Sequence, residues 1–341
     1  MNQPRISAYL TTFNCVSAGY PFEAALRSLG FAFEVVVVDG GSSDGTWERL
    51  GRVADNDSRV RLLRHPVDLD GPSWALDLEL WLKAKARAAC RGEVCWQADA
   101  DEVVCEDDWR KIGYCTEELS EDTPLLAVPM LEYWGGTRLV RRDLYPATAK
   151  LSLNSPRITH GLPRGFRAHD EHGWLYALPY ASLGPSYLDL DTLEPVACDS
   201  LIPDAVESLR QSHDSACYEA EFYDTIDDLP VVHHFAWVAI ERKLFQLRNS
   251  WARFHASFHR SAEAVSAWPL FDCDWQDVSD VDIRRRAREL RREGPGSLSG
   301  ETDFPTLMRA MKELPLDAGN WLPDLTKPVE IVRPSATVCE V

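Results

Sequence analysis

The sequence predicts an α/β fold built on an open, mostly parallel sheet with helices on both faces, followed by an irregular region and C-terminal helices. Two observations carry this. Residues 33–38, FEVVVV, hold four consecutive valines, too apolar for a strand with one wet face, and strands covered on both sides are typical of parallel sheets. Residues 6–98 also alternate short apolar runs with segments of helical spacing, in the order β-α-β-α-β-α-β.

The elements follow in order. ISAYLTT (6–12) predicts a buried first strand. After Pro21, apolar Phe22, Ala25, Leu26 and Leu29 recur at helical spacing as far as Gly30. FEVVVV is the second strand, and DGGSSDG makes the turn after it. Ser43 or Asp44 can cap the next helix, expected through Arg52. RVRLL (59–63) is a third strand, residues 74–91 a long helix stopped by Gly92, and EVCWQA (93–98) a fourth strand. Residues 106–119 suit a helix. Residues 124–200, dense in Pro, Gly and aromatics, predict irregular structure with short strands of the kind that shapes a binding cleft. PVVHHF (230–235) suits a strand, and residues 238–259 and 280–293 suit helices. The expected domains are a catalytic unit over 1–260, with a ligand-binding half at 1–105 and an acceptor-binding half at 106–260, and a helical extension and tail over 261–341.

Composition narrows the function. Of 341 residues, 45% are hydrophobic and 26% charged, enough for a sizeable core. The net charge of -18 leaves no excess of Lys and Arg for phosphate backbones, which argues against nucleic-acid binding, and it also argues against broad adhesion to anionic membranes. Nine cysteines, an odd number with no CxxC pair, are expected to be reduced thiols in the cytoplasm. No signal peptide or membrane-spanning run is expected.

In an open α/β sheet, ligands bind beyond the carboxyl ends of the strands. Three such ends carry polar or acidic groups: Thr11-Thr12-Phe13-Asn14, Asp39-Gly40-Gly41 and Asp99-Ala100-Asp101-Glu102. Asp39 suits either a plain Asp-Gly turn or a carboxylate that accepts hydrogen bonds from a nucleotide. DGGSSDG matches neither the dinucleotide nor the Walker pattern. If the chain stays extended past strand four, Asp99 and Asp101 point to the same side and can face one ligand. Oxygen ligands suit Mg²⁺ or Mn²⁺, which take one or two carboxylates and complete their shell with water and phosphates.

Taken together, TTFN after strand one, VVVDGGSSDGT after strand two and ADADE after strand four resemble family 2 glycosyltransferases of the GT-A fold, bacterial type, over residues 6–105. The resemblance implies a nucleoside diphosphate sugar donor and a Mn²⁺ or Mg²⁺ cofactor. It implies a nucleotide-sugar site of Thr11, Thr12, Phe13, Asn14, Asp39, Gly41, Lys85, Asp99 and Ala100, with Asp39 at the base or ribose and Asp99 on the ribose side. Asp101 would be the main metal ligand, with Asp99 beside it, and Glu102 would orient its neighbours. VVHHFAWVAIERKLFQLRNSW (231–251) is similar to a later segment of some members, in which a His completes the metal site. His234 fits by register, with His233 the alternative; one of the pair packing in the core is the plain reading. Arg242 and Lys243 suit a solvated helix face or a diphosphate.

Inverting members use an Asp or Glu as general base on the acceptor hydroxyl. Asp170 and Glu171, in RAHDEHGW, are the candidates, flanked by His169 and His172. Arg138, Arg141 and Arg142 suit the acceptor side or open surface. His255 and His259 lack the HExxH glutamate. The basic helix 280–293 suits i,i+4 pairing with its own acids, or an anionic membrane surface on the inner face. The expected activity is metal-dependent, inverting transfer of a sugar to a hydroxyl of a glycan, lipid-linked or small-molecule acceptor. The alternatives are a nucleotidyltransferase and a non-catalytic binding protein of the same fold.

Overall fold

The computed structural model describes residues 4–70, 77–136, 140–141, 147–161, 187–192, 196–200, 229–248, 271, 273 and 277–293. Strand β1 (Ile6–Thr12) leads into a short helix α1 (Cys15–Ala18) and then α2 (Phe22–Ser28). Strand β2 (Glu34–Asp39) is followed by α3 (Thr46–Asn56), and β3 (Val60–Arg64) by a π-helical turn (Asp77–Trp81) that continues as α4 (Leu82–Ala88) and ends before β4 (Val94–Gln97). The described part of the third helix therefore opens on a wider turn than the α-helix expected from its periodicity. Helix α3 starts at Thr46, whose N–H is accepted by Asp44 Oδ1 at 3.1 Å, and it runs four residues past Arg52.

The four valines explain the layering. Val35 and Val37 pack on one face of β2 with Phe22, Leu26 and Leu50 from α2 and α3. Val36 and Val38 pack on the other face with Leu82 and Ala86 of α4. All four are fully buried, and each such side chain contributes roughly 1.5–3 kcal/mol. The period of two in the strand thus sets helices on both sides of the sheet.

Strands β3, β2, β1 and β4 lie side by side and all parallel. The chain steps outward from β1 to β2 and β3, then returns to the other side of β1 for β4. A crevice forms beyond the carboxyl ends at such a reversal, here between β1 and β4.

The chain then crosses to β5 (Glu102–Val104) and helix α5 (Trp109–Cys115). Beyond these lie β6 (Leu125–Trp134), β7 (Val140–Arg141), β8 (Ala147–Leu153), β9 (Ile158–His160), β10 (Tyr187–Asp189), β11 (Asp199–Ser200) and β12 (Val232–Trp237). The segment expected to be irregular thus contains a ten-residue strand and a seven-residue strand among its described residues. Pro and aromatic content misled there: Pro129 sits inside β6, and Tyr133 and Trp134 are core residues at its end.

The sheet order is β3-β2-β1-β4-β8-β6-β12-β5. Only residues 98–101 separate β4 from β5 in the chain, yet three strands stand between them in the pairing order. The sheet must therefore curl until β5 and β12 come back beside the end of β4. A register shift at Leu126/Ala127 in β6 lies on this curved path.

Helix α6 (Ile240–Gln246) follows β12, and α7 (Asp280–Glu293) packs on it. Ile283, Ala287 and Leu290 face Ile240, Leu244 and Phe245. Arg284 reaches Glu241 of α6 at 3.6 Å, while Arg285 meets Asp282 and Arg286 meets Glu289 one turn away, at i,i+3 rather than mainly at the expected i,i+4 spacing. Among the described residues no helix is long and apolar enough to cross a membrane.

At the amino end of β2 a buried carboxylate ties three elements together. Glu34 accepts hydrogen bonds from Ser7 Oγ (2.7 Å), Arg61 Nη1 (2.7 Å) and the Arg91 main-chain N–H (2.6 Å). Burial pulls its pKa up, but these donors outweigh that and lower it to about 2. A carboxyl lowered on folding contributes stability above its unfolded pKa and loses it as pH falls. Wild-type protein should therefore lose this contribution between about pH 4.5 and 2. Glu34→Gln should cost about 2 kcal/mol at neutral pH, discounted for the exposure of Arg61 and Arg91, and should flatten the acid limb of urea midpoints plotted against pH.

Candidate functional site

The loops after β1 and β2 are stitched to each other. Asp39, fully buried, accepts the N–H groups of Gly41 (3.0 Å) and Ser42 (2.8 Å) on Oδ1, and the hydroxyls of Ser42 (2.6 Å) and Thr12 (3.0 Å) on Oδ2. Asn14, in the left-handed region at φ 48°, donates its N–H to Ser42 Oγ, and its side-chain oxygen accepts the Ser43 N–H. Asp44 accepts the Ser17 N–H at 2.6 Å. Gly41 has φ +96°, and a Cβ there would lie 2.9 Å from Pro66 Cα, so both backbone and space demand glycine. Asp39 thus does the work of the plain Asp-Gly turn: its carboxylate shapes the loop that Thr11, Phe13 and Asn14 line.

The acids after β4 do not continue the strand. The Glu102 N–H bonds to the Asp99 carbonyl at 3.1 Å, closing a tight turn over Asp99–Glu102. The extended-chain expectation for Asp99 and Asp101 is therefore corrected: the turn sends them to different partners. Asp99 accepts from Gln97 Nε2 (2.9 Å) and lies 3.7 Å from Lys83 Nζ. Burial opposes ionisation of Asp99, but the charges of Lys83 and then Lys150 hold its pKa well below the usual carboxylate range. Asp101 Oδ2 lies 3.6 Å from His234 Nε2, and its carbonyl accepts the Phe235 N–H at 2.9 Å. Ala100, at the corner, packs into the main core.

Strand alternation separates the two histidines. His233 is buried between Tyr133 Oη (2.7 Å from Nδ1) and Cys105 Sγ (3.4 Å from Nε2). His234 faces Asp101, with Glu132 Oε2 3.7 Å from its Nδ1, a buried nitrogen that makes no hydrogen bond. Burial lowers the His234 pKa, but Asp101 and then Glu132 outweigh it and raise it well above the ordinary imidazole value. A divalent cation would supply the same positive charge at Nε2 in place of the proton. One carboxylate oxygen and one imidazole nitrogen, facing each other at the switch point, fit Mn²⁺ or Mg²⁺ with the remaining positions left to phosphate and water. Among the described residues no group of three or more His, Cys, Asp or Glu side chains is placed to hold a metal ion, so the protein would supply two ligands here.

Three residues at this site escaped the sequence reading: Lys83, Lys150 and Glu132. Lys83 comes from α4, two positions from Lys85, which places the two lysines on different sides of the helix. Lys85 is exposed, with its ammonium 5.9 Å from the centroid of the Trp81 ring. Arg242 donates to the Gly19 carbonyl and Lys243 lies over Trp237, so the structure places both on α6 packing contacts. Asp170 and Glu171, His169 and His172, Arg138 and Arg142, and His255 and His259 lie outside the described residues, as does the Arg141 side chain.

If Asp39 shapes the loop as its four hydrogen bonds indicate, Asp39→Ala strands several buried donors. Each costs roughly 1–3 kcal/mol, so urea unfolding of ligand-free protein should show a loss of about 3 kcal/mol or more. A purely ligand-binding Asp39 would leave that stability unchanged.

The profile of Glycosyl transferase family 2 matches residues 12–113. No curated protein matches the chain. Among solved structures, the mannosyltransferase PcManGT from Pyrobaculum calidifontis, in complex with GDP-Man and Mn²⁺, is 19% identical with a TM-score of 0.29, over 38% of this chain and 36% of that one. The chain thus spans little more than a third of that enzyme. S. aureus TarS 1-349 in complex with UDP-GlcNAc is 14% identical with a TM-score of 0.34, over 85% of this chain and 92% of that one. Glucosyl-3-phosphoglycerate synthase from Mycobacterium tuberculosis, in complex with Mn²⁺, UDP and glucosyl-3-phosphoglycerate, is 14% identical with a TM-score of 0.27, over 44% and 57%. The matched residues run from Thr12 through the Asp39 turn to the acidic turn and α5, and this part of the chain carries the pattern of glycosyl transferase family 2, a family of sugar-transferring enzymes.

Proposed function

We propose that the protein is a metal-dependent, inverting glycosyltransferase of the GT-A type that moves a sugar from a nucleoside diphosphate to an acceptor hydroxyl. The observation that carries this is the meeting of Asp101 and His234 at 3.6 Å, from a turn and a strand far apart in the chain, beside the crevice between β1 and β4. When bound there, a divalent cation supplies Lewis-acid neutralisation of charge on the departing diphosphate. Asp101 and His234 hold it, and Glu132 orients the imidazole from behind. The loop Thr11–Asn14, shaped by Asp39, receives the nucleoside, with the Asp99 carboxylate on the ribose side. Lys83 adds positive charge at the same rim. Asp170 or Glu171 removes the acceptor proton as the sugar bond breaks.

Two measurements test this. Melting temperature should rise with UDP, GDP or dTDP only when Mn²⁺ is present; no response to any of the three would favour a non-catalytic binding protein. Asp101→Ala should abolish both sugar transfer and the metal-dependent shift, and unchanged turnover in that variant would sink the reading.

A further inference from the structure

The acidic turn has an internal support that the proposed chemistry does not use. Lys150, in the middle of β8, is 1% exposed. Its ammonium has three donors and reaches three acceptors: Gln97 Oε1 (2.6 Å), Glu102 Oε1 (2.7 Å) and Glu102 Oε2 (2.6 Å). Each of those two partners passes the contact on to the same residue. The Gln97 amide donates to Asp99 Oδ1 at 2.9 Å, and Glu102 Oε2 accepts the Asp99 N–H at 2.8 Å. Asp99 is thus held twice, by side chain and by main chain, and both holds run back to one buried ammonium.

We propose that Lys150 is a positioning residue for the donor site, orienting the Asp99 carboxylate through Gln97 and the Asp99 main chain through Glu102, so that the acidic turn is set before any ligand arrives. The proposal rests on the glycosyltransferase reading for the ligand it names, but not for the preformed turn. Gln97 orients with its oxygen toward Lys150 and its nitrogen toward Asp99, the one assignment that satisfies both. Glu102 is 5% exposed and cannot replace the ammonium with bulk water. Strand pairing supplies the geometry: β8 is antiparallel to β4 through Val94–Leu153, Cys95–Ser152 and Trp96–Leu151, and that pairing carries Lys150 to the end of β4.

The test has two independent arms. In the first, amide hydrogen exchange is measured on the ligand-free full chain. The double variant Lys150→Met/Glu102→Met removes both buried charges together, and Lys150→Met/Glu102→Gln also removes both charges but keeps an oxygen that can accept the Asp99 N–H, with no ammonium to hold it in place. In both, the Asp99 amide should exchange about 10-fold faster or more while the Val35–Val38 amides keep their protection. An Asp99 amide as protected as in the wild type, in either variant, overturns the proposal. In the second arm, Gln97→Met leaves the Lys150–Glu102 pair in place and removes the bridge by which Gln97 links the ammonium to the Asp99 carboxylate. Calorimetric binding of UDP and of GDP, each with Mn²⁺, should weaken roughly 10-fold at a temperature where the variant is fully folded. Undiminished affinity overturns the side-chain half of the proposal. Wild-type protein that binds neither nucleotide overturns the glycosyltransferase reading, and the exchange arm still decides on the preformed turn.

Discussion

The ammonium of Lys150 and the carboxylate of Glu102 meet in a place where neither can be left alone. Both are buried, and each would carry a large desolvation penalty if the other were removed. Their pairing sets the relative positions of β8 and the start of β5, and it fixes the turn between β4 and β5. With Lys83 nearby, it also provides the positive charge that three neighbouring carboxylates need in order to coexist. The repulsion evident in the sequence ADADE is therefore met first by the protein's own lysines. The cation proposed at Asp101 and His234 would add to a turn that is already organised.

The first half of the fold was legible because its signals are local. Four valines bury on both faces, an Asp-Gly-Gly turn needs a positive φ at its second glycine, and helical spacing between strands gives the parallel order. Lys150 and Glu132 were not legible, because their segments, ATAKLSL and LLAVPMLEYW, fall in the stretch that its Pro, Gly and aromatic content marks as irregular, whereas both form strands. Only the curl of the sheet buries those charges beside the acids. His234 and His233 show the same limit on a smaller scale. Alternation says that they face opposite ways, but which one meets Asp101 depends on the pairing of His234 with Glu102 in β5 and with Glu132 in β6.

Loop and strand divide the work at the site. The Thr12, Asp39, Ser42 and Asn14 network joins the loops that follow two directly paired strands, so its shape follows from the pairing of β1 with β2 alone. The Asp101, His234 and Glu132 line is made of residues from three distant segments, so its shape follows from the whole sheet. A ligand spanning both would read a locally fixed pocket at one end and a globally fixed one at the other.

The register of the curl has a mechanical meaning. Strands β4 and β5 sit at separate places in the pairing order but are joined by only four residues, and the Phe235 N–H holds the Asp101 carbonyl on β12. The turn acts as the clasp of a band that would otherwise spring open. Asp101 reaches His234 only while the turn from β4 stays bonded to β12. The site therefore depends at once on the pairing of β4 with β8 and on that of β12 with β6, the two ends of the curled path that the turn joins.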